Sequence, residues 1–321
     1  MDVKSKNLIE WSSWTLLSIM LFIGAVGATF LAPFVMLAAP VPLMIIVCRR
    51  GPAYGMVSAL FGALFVLIFM GFEAMFLYLC GFALLGLMMG IMLVRAKSGA
   101  DYAASAIAGS LALKLVMMFV YTRVWGINPF VLSPDAANAL SSSLTSALSN
   151  KVVGVSPDDI GSYVENLSQT LSVMMPSMLI LFSAADSAAG YALTWLYMKR
   201  VGEVKLPKLP PFGLWRFPKN IFWALLAGLV LDMASKAFPD HEICSMLAIN
   251  LMEVLRAVFL IEGLSLLWYF TGLYNGNRVL RSVLVVFCAF FAPMSYVLSM
   301  VGIFDIWYDL RKRIKLRRKQ R

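Results

Sequence analysis

The sequence predicts an all-α protein that crosses a membrane about eight times. Of its 321 residues, 61% are hydrophobic and 14% are charged, whereas soluble domains carry about 25% charged residues. Eight apolar runs each approach the ~20 residues that a helix needs to cross a bilayer. They lack the alternating pattern of a membrane β-barrel, so helices must satisfy their backbone amides in hydrocarbon. The runs are Trp14–Leu31, Tyr54–Met70, Phe72–Val94, Ala103–Tyr121, Val173–Met198, Ile221–Ala237, Ser245–Phe270 and Val279–Phe304.

The first run follows Lys4 and Lys6 and lacks a small-residue cleavage site, which predicts a retained helix rather than a signal peptide. A shorter run, Phe34–Val47, contains Pro40 and Pro42. We expect it to cross as a short or broken helix, because the hairpin then leaves the flanking basic residues on one side of the membrane.

Basic residues mark the cytoplasmic side of a membrane protein. This rule places both chain ends inside, together with a loop at 199–220 and a basic tail at 305–321. The segment 122–172 then lies outside the cytoplasm. The basic clusters are Arg49 and Arg50, Arg95 and Lys97, Lys199 to Lys219, and Arg311 to Arg321.

The external segment 122–172 has about 50 residues, which is marginal for a separate core, so residues 1–321 are predicted to form one membrane domain. Ser156-Pro157-Asp158-Asp159 is typical of a helix start, with a capping serine, an N-terminal proline and acids near the positive end of the dipole. We expect that helix to continue into the next span. Ala136–Ser149 is predicted to form a second external helix, and the pair would cap a pocket or cover the bundle.

The eight runs and the shorter run total nine, but nine crossings would leave the basic tail outside. One segment near the C-terminus is therefore predicted not to be a simple crossing. Either Ile221–Ala237 lies in the interface or re-enters, or the last run bends back at Pro293. An even number, eight, keeps both ends inside.

Composition also excludes several classes of function. The net charge of +10 lies in juxtamembrane loops and in the tail, which indicates topology and anionic lipid headgroups rather than a nucleic-acid partner. Four cysteines without paired spacing and a single histidine predict no metal and no cofactor. No phosphate-binding glycine loop, metalloprotease pair or nucleophile elbow is present, so we predict neither an enzyme nor ATP-driven work by this chain alone.

Ionisable residues inside spans cost at least about 2.5 kcal/mol each, so each is a candidate site residue. Glu253 and Arg256 are spaced for an intrahelical ion pair, whereas Glu262 has no local partner. A polar face with Asp186 either lines a cavity or packs against another helix; Lys114, in the middle of another run, is a cation that could neutralise it. The predicted pocket comprises Ser183, Asp186, Ser187, Glu253, Arg256, Glu262 and Lys114.

Two further motifs lie in the cytoplasmic loop and the tail. The loop reads Pro210-Pro-Phe-Gly-Leu-Trp-Arg-Phe-Pro218, and the chain later reads Gly302-Ile-Phe-Asp-Ile-Trp-Tyr-Asp-Leu-Arg-Lys312. Indole rings suit the membrane interface, and the aspartates of the tail are placed to pair with Arg311, Arg313 or Arg216. We expect a cytoplasmic docking face or a lipid anchor formed by Phe212, Trp215, Arg216, Asp305, Trp307, Asp309 and Arg311.

These two motifs resemble those of the YybS-like family of bacterial multi-pass membrane proteins, and Arg49-Arg50-Gly51 fits the same pattern. Glu262-Gly263 stands where that family tends to have Gln-Gly. The family has no settled activity. Its fold is considered similar to that of the substrate-binding membrane subunits of energy-coupling-factor vitamin transporters, which implies solute binding in a bacterial cytoplasmic membrane by analogy.

Two functional hypotheses follow from the sequence. The first is a membrane-embedded solute-binding or transport-related subunit of unknown substrate, which needs an energising membrane partner. The second is a membrane scaffold that recruits cell-envelope or signalling proteins through its loop and tail. Membrane lipids are expected partners in both, and a lipid-modifying enzyme is a more distant third class.

Overall fold

A computed structural model of the chain describes residues 3–28, 32–126, 138–139, 141–143, 157–202, 206–238, 241–273 and 277–313. Within these ranges the regular elements are all helical and no strand occurs, which confirms the all-α prediction. The helices are α1 Val3–Gly27, α2 Ala32–Ala38, α3 Val41–Arg50, α4 Pro52–Met70, α5 Phe72–Tyr78, α6 Leu84–Arg95, α7 Gly99–Val120, α8 Pro157–Val201, α9 Ile221–Ala237, α10 Glu242–Leu273, α11 Arg278–Phe290 and α12 Ala292–Tyr308. Two π-helical turns, Leu79–Ala83 and Tyr121–Trp125, extend α5 into α6 and prolong α7.

Six segments in the described part of the chain are long and apolar enough to cross a membrane. Helices α11 and α12 form a seventh candidate, although they meet at 98°. The protein is therefore polytopic, as predicted, but the count of eight is not reached. The six are Leu8–Gly27, Pro52–Met70, Phe72–Arg95, Gly99–Trp125, Gly161–Val201 and Glu242–Leu273.

The missing crossings have local causes. Phe34–Val47 is broken between α2 and α3, as expected from Pro40 and Pro42, and neither piece is long enough to span a bilayer. Helix α9, with 17 residues, lies at the short end of the range of about 17–25 residues that can cross a bilayer. The last apolar run bends at Phe291, whose extended backbone precedes a helix start that contains Pro293. The run therefore bends close to Pro293, as one of the two alternatives proposed; which of the two segments fails to cross stays a prediction.

The described chain divides into two compact units. Unit 1 comprises Met1–Pro129 and Leu179–Leu209, and unit 2 comprises Phe130–Met178 and Pro210–Arg321. The core of unit 1 surrounds the short helix α3, where five consecutive residues from Leu43 to Val47 are at most 2% exposed.

Helix α6 passes α3 closely because it presents small residues. A Cβ on Gly86 would overlap the Pro40 carbonyl, and a Cβ on Gly90 would lie 2.8 Å from Val47 Cβ. The small-residue spacing of Gly86 and Gly90 therefore serves helix packing.

Unit 2 is built on the contact between α10 and α12. A Cβ on Gly302 would overlap the backbone oxygen of Phe259, and a Cβ on Gly263 would overlap that of Leu298. Backbone approaches this close are possible only for glycine. They bring the end of α12 beside the middle of α10.

Helix α8 has 45 residues and is about 68 Å long at 1.5 Å per residue. The helix predicted to start at Ser156-Pro157 continues into the next apolar run, as expected, and Pro176 lies within it. Ser156 lies outside the described residues. Of the second external helix, Ala136–Ser149, only 138–139 and 141–143 are described, and these are helical.

The side chain of Asn250 forms hydrogen bonds with the α8 backbone next to Pro176. The Ser177 N–H donates to Asn250 Oδ1 at 2.7 Å. Asn250 Nδ2 in turn donates to the Val173 carbonyl at 2.7 Å. One amide thus bonds to two backbone groups beside the proline, where the helix lacks an N–H donor.

Candidate functional site

The first polar cluster lies in unit 1, between α7 and α8. Lys114 Nζ lies 2.5 Å from Asp186 Oδ2 and 2.6 Å from the Ser110 hydroxyl. The Ser110 hydroxyl is itself 3.4 Å from the same carboxylate oxygen. Lys114 therefore neutralises Asp186, as expected from its charge, whereas the acid Asp232 pairs with Lys236 one helical turn away.

The other polar residues of α8 serve mainly its own backbone. The Ser183 and Ser187 hydroxyls donate to carbonyls four residues earlier, at 2.7 Å in both cases. The Tyr102 hydroxyl donates to the Ser187 carbonyl at 3.3 Å, and a Cβ on Gly190 would lie 3.0 Å from Met44 Sδ. These contacts indicate that this face of α8 packs against other helices rather than lining a cavity. Asp186 is the exception, because its carboxylate pairs with Lys114.

The second polar cluster lies in unit 2 and contains Glu262. Arg311 Nη2 donates to Glu262 Oε1 at 3.0 Å, and Arg311 Nε donates to Asp305 Oδ2 at 3.0 Å. Glu262 and Asp305 are each 1% exposed and Arg311 is 5% exposed. Because a buried charge without a partner is strongly unfavourable, this guanidinium holds both carboxylates in place.

The loop motif at 210–218 closes over this cluster. Arg311 Nη1 donates to the Gly213 carbonyl at 2.6 Å, and the Phe217 N–H donates to Glu262 Oε2 at 3.0 Å. The Ser265 hydroxyl lies 2.6 Å from the Phe212 carbonyl oxygen. Hydrogen bonds therefore join the loop, α10 and the tail into one structure, which sequence spacing alone could not reveal.

An exposed ion pair joins the loop to the tail at the rim of the cluster. Arg216 donates to Asp309, and its Nη2 also lies 3.8 Å from Asp305 Oδ1. The hydrogen bond from Arg216 lowers the pKa of Asp309 below its ordinary value. A cavity of about 260 Å³ opens here, lined by Leu214, Arg216, Tyr269, Asp309, Arg311 and Lys312.

The residues predicted to form a docking face occupy different environments. Asp305 and Arg311 are buried, so they position the loop and the tail and cannot contact a partner directly. Trp215 is half-buried and donates its indole N–H to the Pro210 carbonyl at 2.8 Å. Phe212 is half-buried and packs edge-on against that indole ring. Trp307 is 52% exposed.

The intrahelical ion pair predicted on α10 is present. Arg256 donates to both carboxylate oxygens of Glu253, and its guanidinium also lies 5.0 Å from the centre of the Tyr296 ring. This pair and Glu262 belong to unit 2, whereas Lys114, Ser183, Asp186 and Ser187 belong to unit 1.

Ser110 and Tyr102 were missed in the sequence. The four-residue spacing of Ser110 and Lys114 is a local signal that could have identified the first, but nothing local connects Tyr102 to Ser187. Among the described residues no group of three or more His, Cys, Asp or Glu side chains is arranged to hold a metal ion.

Comparison with known proteins identifies a family without identifying a relative of known activity. The family described as "Predicted membrane protein (DUF2232)" matches residues 16–306. No curated protein and no solved structure gives a significant match. The match covers nearly all of the helices described above, and the chain therefore belongs to this family of predicted membrane proteins.

Proposed function

We propose that this protein is a membrane-embedded solute-binding or transport-related subunit, with Lys114 and Asp186 at the polar centre of its binding site. The observation that carries the proposal is the ion pair between these residues on two candidate spans, at 2.5 Å. Intramembrane charges typically mark substrate, ion or proton pathways. The two side chains keep 21% and 12% of their surface exposed, so neither is fully enclosed by the helices.

The proposal includes a partner that supplies energy, because the sequence contains no phosphate-binding glycine loop. The distribution of basic residues supports a bacterial cytoplasmic membrane with both chain ends inside. The resemblance to YybS-like proteins, and through them to energy-coupling-factor substrate-binding subunits, supports the same class of function. A pocket that joins Asp186 to Glu262, Glu253 and Arg256 stays a prediction.

A ligand screen with four matched proteins tests the proposal. Thermal shifts of the purified protein would be measured with vitamins, nucleobases, divalent metals and phospholipids. The proteins are the wild type, Asp186→Asn, the charge swap Lys114→Asp/Asp186→Lys, and Asp232→Asn as a control in an exposed intrahelical pair.

We expect one class of compound to raise the melting temperature of the wild type and of Asp232→Asn but not of Asp186→Asn. The charge swap should restore thermal stability without restoring the ligand response, because a ligand recognises the positions of the two charges. If the ion pair served only the structure, none of the four proteins would respond to a ligand, and the charge-swapped protein would be as stable as the wild type. That outcome would rule out the proposal.

A scaffold role is a second candidate, and one observation favours it. Arg311 fixes the loop and the tail together, which leaves a fixed surface with large exposed apolar side chains. Leu214 is 51% exposed and Tyr308 is 55% exposed. A preorganised surface of this kind suits a protein partner, because little conformational entropy is lost on binding.

Photocrosslinking in cells tests the scaffold role. A crosslinking amino acid at Tyr308 should capture a partner protein in stoichiometric yield, whereas the same group at Trp223, 71% exposed on α9, should not. Capture at neither position, or equal capture at both, would contradict a specific docking surface.

A further inference from the structure

A groove in unit 1 is not explained by the ion pair of Lys114 and Asp186. It lies between α6 and α7 and has a volume of about 570 Å³, within the range of about 300–1,000 Å³ typical of ligand sites. Apart from Arg95, Asp101 and Ser105 its lining is apolar. The lining residues are Leu84, Leu87, Met88, Ile91, Met92, Arg95, Ala96, Asp101, Ser105 and Leu113.

The polar groups gather at one end of the groove. Helices α6 and α7 are joined by residues 96–98, so Arg95 and Asp101 both lie beside this connection. Leu84 on α6 and Leu113 on α7 are the lining residues furthest along the chain from this connection. The groove therefore has a charged mouth and an apolar interior.

The depth of the groove matches one leaflet of a bilayer. Leu84 and Arg95 are eleven residues apart on one helix, which corresponds to about 16 Å at 1.5 Å per residue. The hydrocarbon core of a bilayer is about 30 Å thick, so one leaflet is about 15 Å. An acyl chain that enters beside the charged mouth would extend along the whole apolar lining.

The charges at the mouth suit a phospholipid headgroup. Within the described residues the exposed Arg95 guanidinium makes no hydrogen bond or ion pair, and arginine binds phosphate oxygens well. Asp101 Oδ2 accepts the Lys97 backbone N–H at 2.9 Å, which leaves its other oxygen for an ammonium group.

A partner helix fits this space less well. A helix with its side chains is about 10 Å wide, so a 16 Å length of it occupies roughly 1,200 Å³, about twice the volume of the groove. A single hydrocarbon chain is far thinner. We propose that the groove binds one phospholipid molecule, with an acyl chain along α6 and its phosphate on Arg95.

Native mass spectrometry of the full-length protein tests this site. Delipidated protein in mild detergent would be titrated with palmitoyl-oleoyl phosphatidylethanolamine and, separately, with the corresponding phosphatidylglycerol. The variants are Arg95→Gln, which removes the phosphate contact, and Ile91→Trp, which fills the groove. Lys97→Gln and Val94→Trp are the matched controls, because both residues are exposed and neither lines the groove.

We expect the wild type and both controls to retain one lipid molecule with affinities within about twofold of each other. Arg95→Gln should weaken binding about tenfold, and Ile91→Trp should abolish it. A wild type that retains no lipid, or equal binding by all five proteins, would overturn the proposal, as would equally tight binding of glycerol phosphate without acyl chains. A photocrosslinker at Met88 that captures a protein and no lipid in cells would overturn it as well.

Discussion

The guanidinium of Arg311 lies 3.0 Å from the carboxylate of Glu262, a residue 49 positions earlier in the chain. The same guanidinium binds Asp305 and the Gly213 carbonyl. One side chain of the tail thus neutralises a charge inside α10 and fixes the loop above it. The structural order of unit 2 therefore depends on a residue beyond its last span.

Arg311→Met should destabilise the protein by about 3–5 kcal/mol, because it leaves the buried Glu262 without its cation and Asp305 with only the more distant Arg216. Glu262→Gln should cost less, since Arg311 keeps its contact with Asp305. Thermal unfolding in detergent checks the order of the two variants. Lys312→Met is the control, because this neighbouring cation is exposed, and a loss of stability as large as that of Arg311→Met would contradict the assignment.

Gly302→Ala should separate α10 from α12. The added methyl group would overlap the Phe259 carbonyl oxygen, which belongs to a helix and cannot move aside as a flexible side chain would. A loss of at least about 2 kcal/mol is expected from overpacking. Gly24→Ala is the matched control, since its Cβ would meet nothing within 4 Å. Unfolding temperatures should fall for the first variant only.

The hydrogen bonds of Asn250 should matter because of Pro176. Asn250→Ala leaves the Ser177 N–H and the Val173 carbonyl without this partner, at an expected cost of about 1–3 kcal/mol. In the Pro176→Ala background α8 can restore its own backbone hydrogen bonds, so the stability lost by Asn250→Ala should fall to half or less. A double-mutant cycle by thermal unfolding measures this coupling. Equal losses of stability in the two backgrounds would show that the Asn250 amide does not substitute for backbone hydrogen bonds.

The ion pair of Arg216 and Asp309 should respond to acid and not to mild alkali. Because the pKa of Asp309 is lowered in the folded protein, its contribution is fully present above the ordinary carboxyl pKa. That contribution is lost as the pH falls through the lowered value. The pair is exposed, so the effect should not exceed about 1 kcal/mol.

A comparison of the wild type with Asp309→Asn measures this contribution. Their difference in melting temperature should be constant between about pH 5 and 8 and should vanish in stronger acid, below both pKa values of the carboxyl group. A difference that grows as the solution is acidified would have the wrong sign for a lowered pKa.

Local patterns predicted the helices well, because apolar length and backbone hydrogen bonding decide what can cross a bilayer. The same patterns gave too many crossings. Hydropathy does not register that Phe34–Val47 breaks or that the last run turns by 98°, although its prolines were a visible sign.

Contacts within one helix were predictable from spacing, as the pair of Glu253 and Arg256 shows. Contacts between helices were only partly predictable. Lys114 was a possible counter-ion of Asp186, and the structure was needed to show that the two side chains meet. The contact of Glu262 with Arg311 depends on a chain bend and two glycine contacts, and no local signal encodes these together.

The distance along the chain between Glu262 and Arg311 also bears on biosynthesis. At ~5–20 residues per second, a ribosome needs roughly 2–10 s to add the 49 residues that separate them. During this interval the nascent α10 contains the Glu262 carboxylate, but the Arg311 guanidinium that pairs with it has not yet been made. A transcript truncated before Arg311 would make that interval permanent, and its product is expected to be removed by membrane quality control.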